Sequence, residues 1–322
     1  MSLCYEQVTP WSRAADALTN DVLAIDAQLA SIGSASIRSP DGVAQGFALS
    51  ATVAPRVVDA MVVHLCSNGP VPVVDRDVRL IVLFHGLSDD PNARALLQRS
   101  ELVLATAPRT ADVALRAGAR DVVVMPPFVP LDELVRSTAT PTGTIVTIGP
   151  FRRLRRAERA VLCDHLLRSH VDPESVVSMI GHVPDPTVAT GIGGISDALR
   201  LGNPLAGVLP HPVYVNAVAG ATSMLLFGDE DTFGIAAVEA MAAGVPVVAV
   251  GGTTLAETVG DSAVVLSAND EVAVIAEALH AIRTDGAYRR SLVARGRRRA
   301  EELAPARSAS ILHSALSRCG LG

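Results

Sequence analysis

The 322-residue chain contains no lysine; its 27 Lys/Arg residues are all arginine. A pyridoxal-phosphate Schiff base needs a lysine amine, and so does a Walker A loop, so phosphorylase-like and P-loop chemistry are excluded. Any phosphate bound here is held by guanidinium groups, hydroxyls and backbone amides. Aromatics are scarce, 3% of residues against 49% hydrophobic. Ala, Val and Leu therefore build the core, as is usual in α/β layers. No apolar run approaches the ~18 residues of a membrane span. Cys4, Cys66, Cys163 and Cys319 form no C-x-x-C pair and read as reduced structural thiols in a cytoplasmic protein. The start, MSLCYEQVTPW, lacks a basic region followed by an apolar one, so no signal peptide is expected. A net charge of -6 argues against a nucleic-acid partner. Two arginine clusters cut across that average: Arg152, Arg153, Arg155 and Arg156, then Arg295, Arg297, Arg298 and Arg299. The second reads as a solvated helix face.

Length suggests about two domains. Strand-like runs alternate with helical patterns, the signature of parallel, doubly wound sheets. A helix is expected over residues 16–32, strands over 57–65, 79–85, 101–106 and 121–125, and a helix over 107–117. The small, polar stretch 136–143 reads as a linker. A second series follows: strand 144–148, helix 157–169, strand 175–180, a turn-rich stretch over 182–207, helix 213–219 and strand 223–227. After the segment 230–250 come strand 263–266 and helices over 271–283, 288–303 and 307–318. The expected organisation is an N-terminal Rossmann-like domain (1–138), a C-terminal one (139–305) and a final helix (306–322) packing back toward the first. Ligands of open α/β sheets sit at the carboxyl ends of strands. The loops at 67–69, 86–90, 149–153, 228–234 and 251–254 fall there.

The most specific stretch is E-D-T-F-G-I-A-A-V-E-A-M-A-A-G-V-P-V-V-A-V, residues 230–250. Two acids and a Phe-Gly turn lead into an apolar helix that ends at Gly244, before a β-branched strand. Thr232 is the expected helix cap and Gly234 permits a tight turn. Amides at a helix start cradle an anion. Those near Phe233, Gly234 and Ile235 face sugar hydroxyls or a diphosphate, and Glu239 suits a ribose diol. The natural ligand of such a site is a sugar nucleotide.

This stretch resembles the signature of retaining, GT-B-fold glycosyltransferases of glycosyltransferase family 4, in which two glutamates are spaced as Asp231 and Glu239 are here. L-A-E-T-V-G-D-S-A-V-V-L (255–266) resembles the segment that follows. More weakly, A-D-A-L-T-N-D (15–21), V-V-H-L-C-S-N-G (62–69) and L-F-H-G (83–86) resemble segments of one bacterial subgroup. The resemblance implies two Rossmann-like domains facing a cleft. Glu239 would bind the donor ribose and Asp231 the donor sugar's hydroxyls. Phe233, Gly234 and Ile235 would present backbone amides, and His85 would lie near the donor sugar. The family's G-R-x-x-x-x-K loop reads G-P-F-R-R-L-R here. Pro150 follows Gly149 in place of Arg, Arg155 stands in place of Lys, and Arg152 or Arg153 would compensate for Pro150. His211 is a candidate for the base pocket or for a turn. Asp16 and Asn20 either face the acceptor or cap a helix.

The function so implied is metal-independent, retaining transfer of a hexose or N-acetylhexosamine-type sugar from a nucleoside diphosphate sugar to an acceptor hydroxyl or amine. UDP is first among donors and GDP next. The setting would be natural-product or cell-surface glycan biosynthesis, with a small-molecule or carrier-bound acceptor. No cofactor is expected, and no metal, since the His, Asp and Glu residues lack metal-ligand spacing in the sequence. Oligomeric state stays open, a homo-oligomer included. Two other readings stay open: a nucleotide-sugar 2-epimerase of the same fold, and a non-catalytic nucleotide-sugar-binding partner.

Overall fold

The computed structural model describes residues 3–9, 17–39, 58–66, 71, 74, 77–86, 90–171, 173–228 and 233–322. The chain divides into two compact units, residues 1–129 with 303–322, and residues 130–302. The passage from one to the other comes ahead of the 136–143 stretch.

The first unit comprises β1 (Leu3–Val8), α1 (Ala17–Ile32), β2 (Gly33–Arg38), β3 (Ala60–Leu65), β4 (Arg79–Phe84), α2 (Pro91–Arg99), β5 (Leu102–Ala105), α3 (Pro108–Arg116) and β6 (Val122–Val124). The C-terminal helix, α12 (Pro305–Arg318), completes it. Its sheet is parallel in the order β2-β1-β3-β4-β5-β6. The chain first steps outward to β2, then returns across β1 to β3, so the switch point lies between β1 and β3.

Alternation along the strands buries both faces, as parallel sheets require. Tyr5, Ala60, Val62, Ile81 and Leu83 pack under Ile25 and Leu29 of α1 and Leu312, Ala315 and Leu316 of α12. Met61, Val63, Leu65, Leu80, Val82 and Phe84 pack on the other face with Leu96 and Leu97 of α2 and Ala111 and Ala114 of α3. The Tyr5 hydroxyl donates to the Leu321 carbonyl at 2.6 Å, and Arg79 Nη2 donates to the Cys319 carbonyl at 2.5 Å, tying the C-terminal segment to the first strands.

The second unit comprises α4 (Asp132–Arg136), β7 (Thr144–Ile148), α5 (Leu154–His170), β8 (Val176–Ile180), α6 (Pro186–Ala198), β9 (Leu205–Gly207), α7 (His211–Ala219), β10 (Ser223–Phe227), α8 (Ile235–Ala243), β11 (Val247–Val250), α9 (Thr253–Val259), β12 (Val264–Leu266), α10 (Val272–Thr284) and α11 (Gly286–Glu302). Its parallel sheet runs β12-β11-β10-β7-β8-β9. The chain leaves β7 toward β9 and then returns to β10 on the other side, so the switch point lies between β7 and β10.

One stretch departs from the sequence expectation. Residues 182–207, read as turns, contain the 13-residue helix α6. Asp185 caps it by accepting from the Thr187 amide at 2.8 Å, and Pro186 opens its first turn. Its glycines cost helix propensity, but Val188 and Ile192 are buried in the core. A Cβ at Gly191 would come within 2.8 Å of Leu154, so packing against α5 explains that glycine and outweighs propensity.

Candidate functional site

The carboxyl edge of the second sheet carries the first candidate site. Loops leaving β7 and β10 flank the switch point, the place where doubly wound folds bind nucleotides. After β7 the chain passes through Gly149 and a cis peptide to Pro150. Phe151 is fully buried and anchors the loop in the core, while its amide donates to the His182 carbonyl at 2.9 Å. Arg152, Arg153 and Arg155 are exposed at the start of α5. Arg156 turns back, donating to the Ile148 carbonyl at 3.1 Å and lying over the Phe227 ring.

After β10, Gly228 packs against the glycines that follow β11. A Cβ on Gly252 would stand 2.4 Å from the Gly228 carbonyl oxygen, so the two loops meet backbone to backbone. Asp231 and Thr232 lie outside the described residues. The N-cap position of α8 belongs to Gly234, with φ 93°, rather than to Thr232. Only glycine adopts that angle without strain. Phe233 is buried beneath the turn.

Glu239 sits one turn into α8, and its partner is a residue that sequence reasoning missed. Tyr214 of α7 donates its hydroxyl to Glu239 Oε2 at 2.5 Å. Burial pushes the Glu239 carboxyl up to about 7; the Tyr214 hydrogen bond and the charge of His211 oppose that shift. Burial, then the Glu239 charge, raise the Tyr214 phenol. His211 opens α7 and pairs through Nε2 with Glu133 Oε2 of α4 at 2.9 Å, both side chains largely exposed. The result is a carboxylate with one oxygen already engaged, beside a helix start, an imidazole and a phenol. It offers hydrogen-bond acceptors to a diol and donors to an anion. A signal for Tyr214 was available, since it follows His211 at i+3 on one helix face in a chain with three tyrosines.

The Arg295–Arg299 run is not a uniformly solvated face. Arg299 donates from Nε to the Thr258 carbonyl at 2.8 Å and from Nη2 to the Glu257 carbonyl at 3.1 Å. A guanidinium at these last carbonyls of α9 satisfies groups that the helix leaves open.

The first unit carries a second polar cluster. Asp21 of α1, His64 of β3 and His85, just past β4, bring one ligand-capable atom each within 4.8 Å of one another. The three are far apart in the chain and adjacent in the fold, so spacing along the sequence carries no sign of them. His64 Nε2 lies 3.1 Å from Gln7 Oε1, and His64 Nδ1 lies 3.4 Å from His85 Nε2. Asp21 Oδ1 accepts from the Phe128 amide at 2.7 Å, while Oδ2 lies 3.9 Å from His85 Nε2. Burial raises Asp21 to about 7, lowers His85 to about 4 and holds His64 well below the ordinary histidine range. Asn20 is exposed; Asp16 lies outside the described residues.

Among the described residues no helix is long and apolar enough to cross a membrane. No curated protein sequence matches the chain. Among solved structures it resembles HepE of Anabaena, crystallised with UDP and glucose, at 14% identity and a TM-score of 0.73, covering 98% of this chain and 100% of that one. It also resembles sucrose-phosphate synthase from Thermosynechococcus elongatus, at 16% identity and a TM-score of 0.70, covering 98% of each chain. The likeness to a chain of the GtfA/B complex, at 14% identity and a TM-score of 0.63, covers 81% of this chain and 58% of that one. Residues 214–299, which hold Tyr214, Glu239 and α8, match the family described as Glycosyl transferases group 1. The protein has the Rossmann-like GT-B fold of glycosyltransferases, and its second unit carries a segment similar to that family.

Proposed function

We propose that the protein is a retaining glycosyltransferase that takes a sugar from a nucleoside diphosphate sugar, UDP first among donors, and passes it to an acceptor hydroxyl or amine. The observation that carries this reading is the half-buried Glu239 carboxylate beside the α8 start at the switch point, inside the segment that matches the glycosyltransferase family. In this reading Glu239 accepts from the ribose hydroxyls. Ile235 and its neighbours in the first turn of α8 donate amides to the diphosphate. Arg155, with Arg152, neutralises charge as the diphosphate departs. That charge develops in the transition state, so arginine there accelerates the reaction without a metal at the diphosphate. Asp231 contacts the donor sugar and His211 lines the base pocket. HepE with UDP-glucose bound supports UDP as the first nucleotide to try.

Calorimetry with UDP tests the site. The wild-type chain should bind UDP, and Glu239→Ala should abolish that binding while circular dichroism shows an intact fold. Equal affinity in the two proteins would overturn the assignment. Release of UDP from UDP-glucose, with or without an acceptor, then separates a transferase from a binding protein.

A further inference from the structure

The polar cluster of the first unit has a built-in direction. Gln7 Nε2 donates to the Val22 carbonyl at 3.2 Å and to Asp26 Oδ1 at 3.3 Å. Those two acceptors fix the amide, since the flipped orientation would set an oxygen against oxygens. Gln7 Oε1 is then an acceptor, so His64 carries its proton on Nε2 and leaves Nδ1 bare. That bare nitrogen faces His85 Nε2 at 3.4 Å. The ring planes differ by 13° and the ring centres are 5.7 Å apart. The difference, 5.7 − 3.4 = 2.3 Å, is twice the centre-to-nitrogen radius of an imidazole, so both nitrogens lie on the line between the centres. The rings meet edge to edge and head on, rather than face to face.

Head-on approach suits a proton, not a cation. At a tetrahedral metal the two lone pairs converge at an angle, which draws the ring centres closer than a straight line allows. A proton on His85 Nε2, aimed at His64 Nδ1, fits the straight line. Asp21 Oδ2, fully buried and without a hydrogen-bond partner, lies beside the same edge at 3.9 Å and favours a proton there.

We propose that Gln7, His64 and Asp21 are positioning residues that hold His85 as the Nε2-protonated tautomer, so that its Nδ1 is a fixed hydrogen-bond acceptor for the hydroxyl of a ligand at the carboxyl end of β4 in the first unit. Burial also keeps both imidazoles neutral at ordinary pH, which preserves Nδ1 as an acceptor. The same alternation that builds the core builds this relay. Gln7 shares a face with Tyr5, His64 with Ala60 and Val62, and His85 continues the Ile81 and Leu83 row.

Long-range proton–nitrogen correlation spectra of the full chain labelled with 15N-histidine read the tautomer directly. His64 and His85, assigned by single substitutions, should both show the neutral Nε2–H pattern at pH 7. His64→Leu removes the acceptor and should leave His85 a mixture of tautomers. His64→Asn offers Oδ1 near the position of Nδ1 and should restore the Nε2–H form. An Nδ1–H tautomer of His85 in the wild type, or one indifferent to His64→Leu, overturns the proposal. So does a one-to-one Zn2+ complex that displaces the Nε2 proton.

Discussion

At the residue scale, Glu239 makes the stability of the second unit depend on pH. Burial raises Glu239 from 4.5 to about 7. Between those values the folded chain keeps a proton that the unfolded chain has released. The contribution of this group to stability is full below about pH 4.5 and is lost as pH rises through 7, by on the order of 3 kcal/mol. Glu239→Gln should remove that loss, so thermal melts at pH 5 and pH 8 should converge in the variant relative to wild type. In the proposed function ligand binding runs the other way, because a ribose diol needs the ionised acceptor. UDP affinity by calorimetry should rise about tenfold from pH 6 to pH 8 and stay level in Glu239→Gln. Tyr214→Phe leaves Glu239 Oε2 without its donor and should cost roughly 1–3 kcal/mol in urea denaturation.

At the element scale, glycines at equal angles carry unequal demands. Gly143 and Gly252 have φ 75° and 76°. Nothing lies within 4 Å of a Cβ on Gly143, whereas one on Gly252 would stand 2.4 Å from the Gly228 oxygen. Gly143→Ala should cost only the left-handed penalty, about 1–2 kcal/mol. Gly252→Ala adds a backbone collision between the loops after β10 and β11, and should cost several times more by chemical denaturation. The linear pattern made α8 and β11 readable, because an apolar helix that stops at glycine before a β-branched strand has few other interpretations. It hid α6, whose glycines and prolines mimic a loop until Val188 and Ile192 find the core. It also hid the relay. Asp21, Ile25 and Leu29 share one face of α1 at i, i+4 and i+8, and Gln7, His64 and His85 continue the rows of Tyr5, Val62 and Leu83. The signal exists in four segments, but which segments lie side by side is a matter of sheet order.

At the scale of the whole molecule, the C-terminal segment belongs with the first unit. Leu312, Ala315, Leu316 and Leu321 fill the same core as Tyr5 and Ile25. Ending the chain at Glu302 should therefore unfold residues 1–129 while residues 130–302 keep a cooperative melt and, in the proposed function, UDP affinity. Calorimetric scanning of the truncated protein would show a single transition, and loss of both units would contradict the division. The sequence by itself determined what depends on neighbours along the chain: two doubly wound sheets, both buried faces and a glycosyltransferase-like segment around Glu239. Periodicity and local turn chemistry are written residue by residue. The tertiary structure alone decided that Tyr214 holds Glu239, that Arg299 closes the end of α9, and that Asp21, His64 and His85 meet. Those contacts arise when parallel crossovers bring distant strands and helices together, a step to which sequence spacing makes no reference.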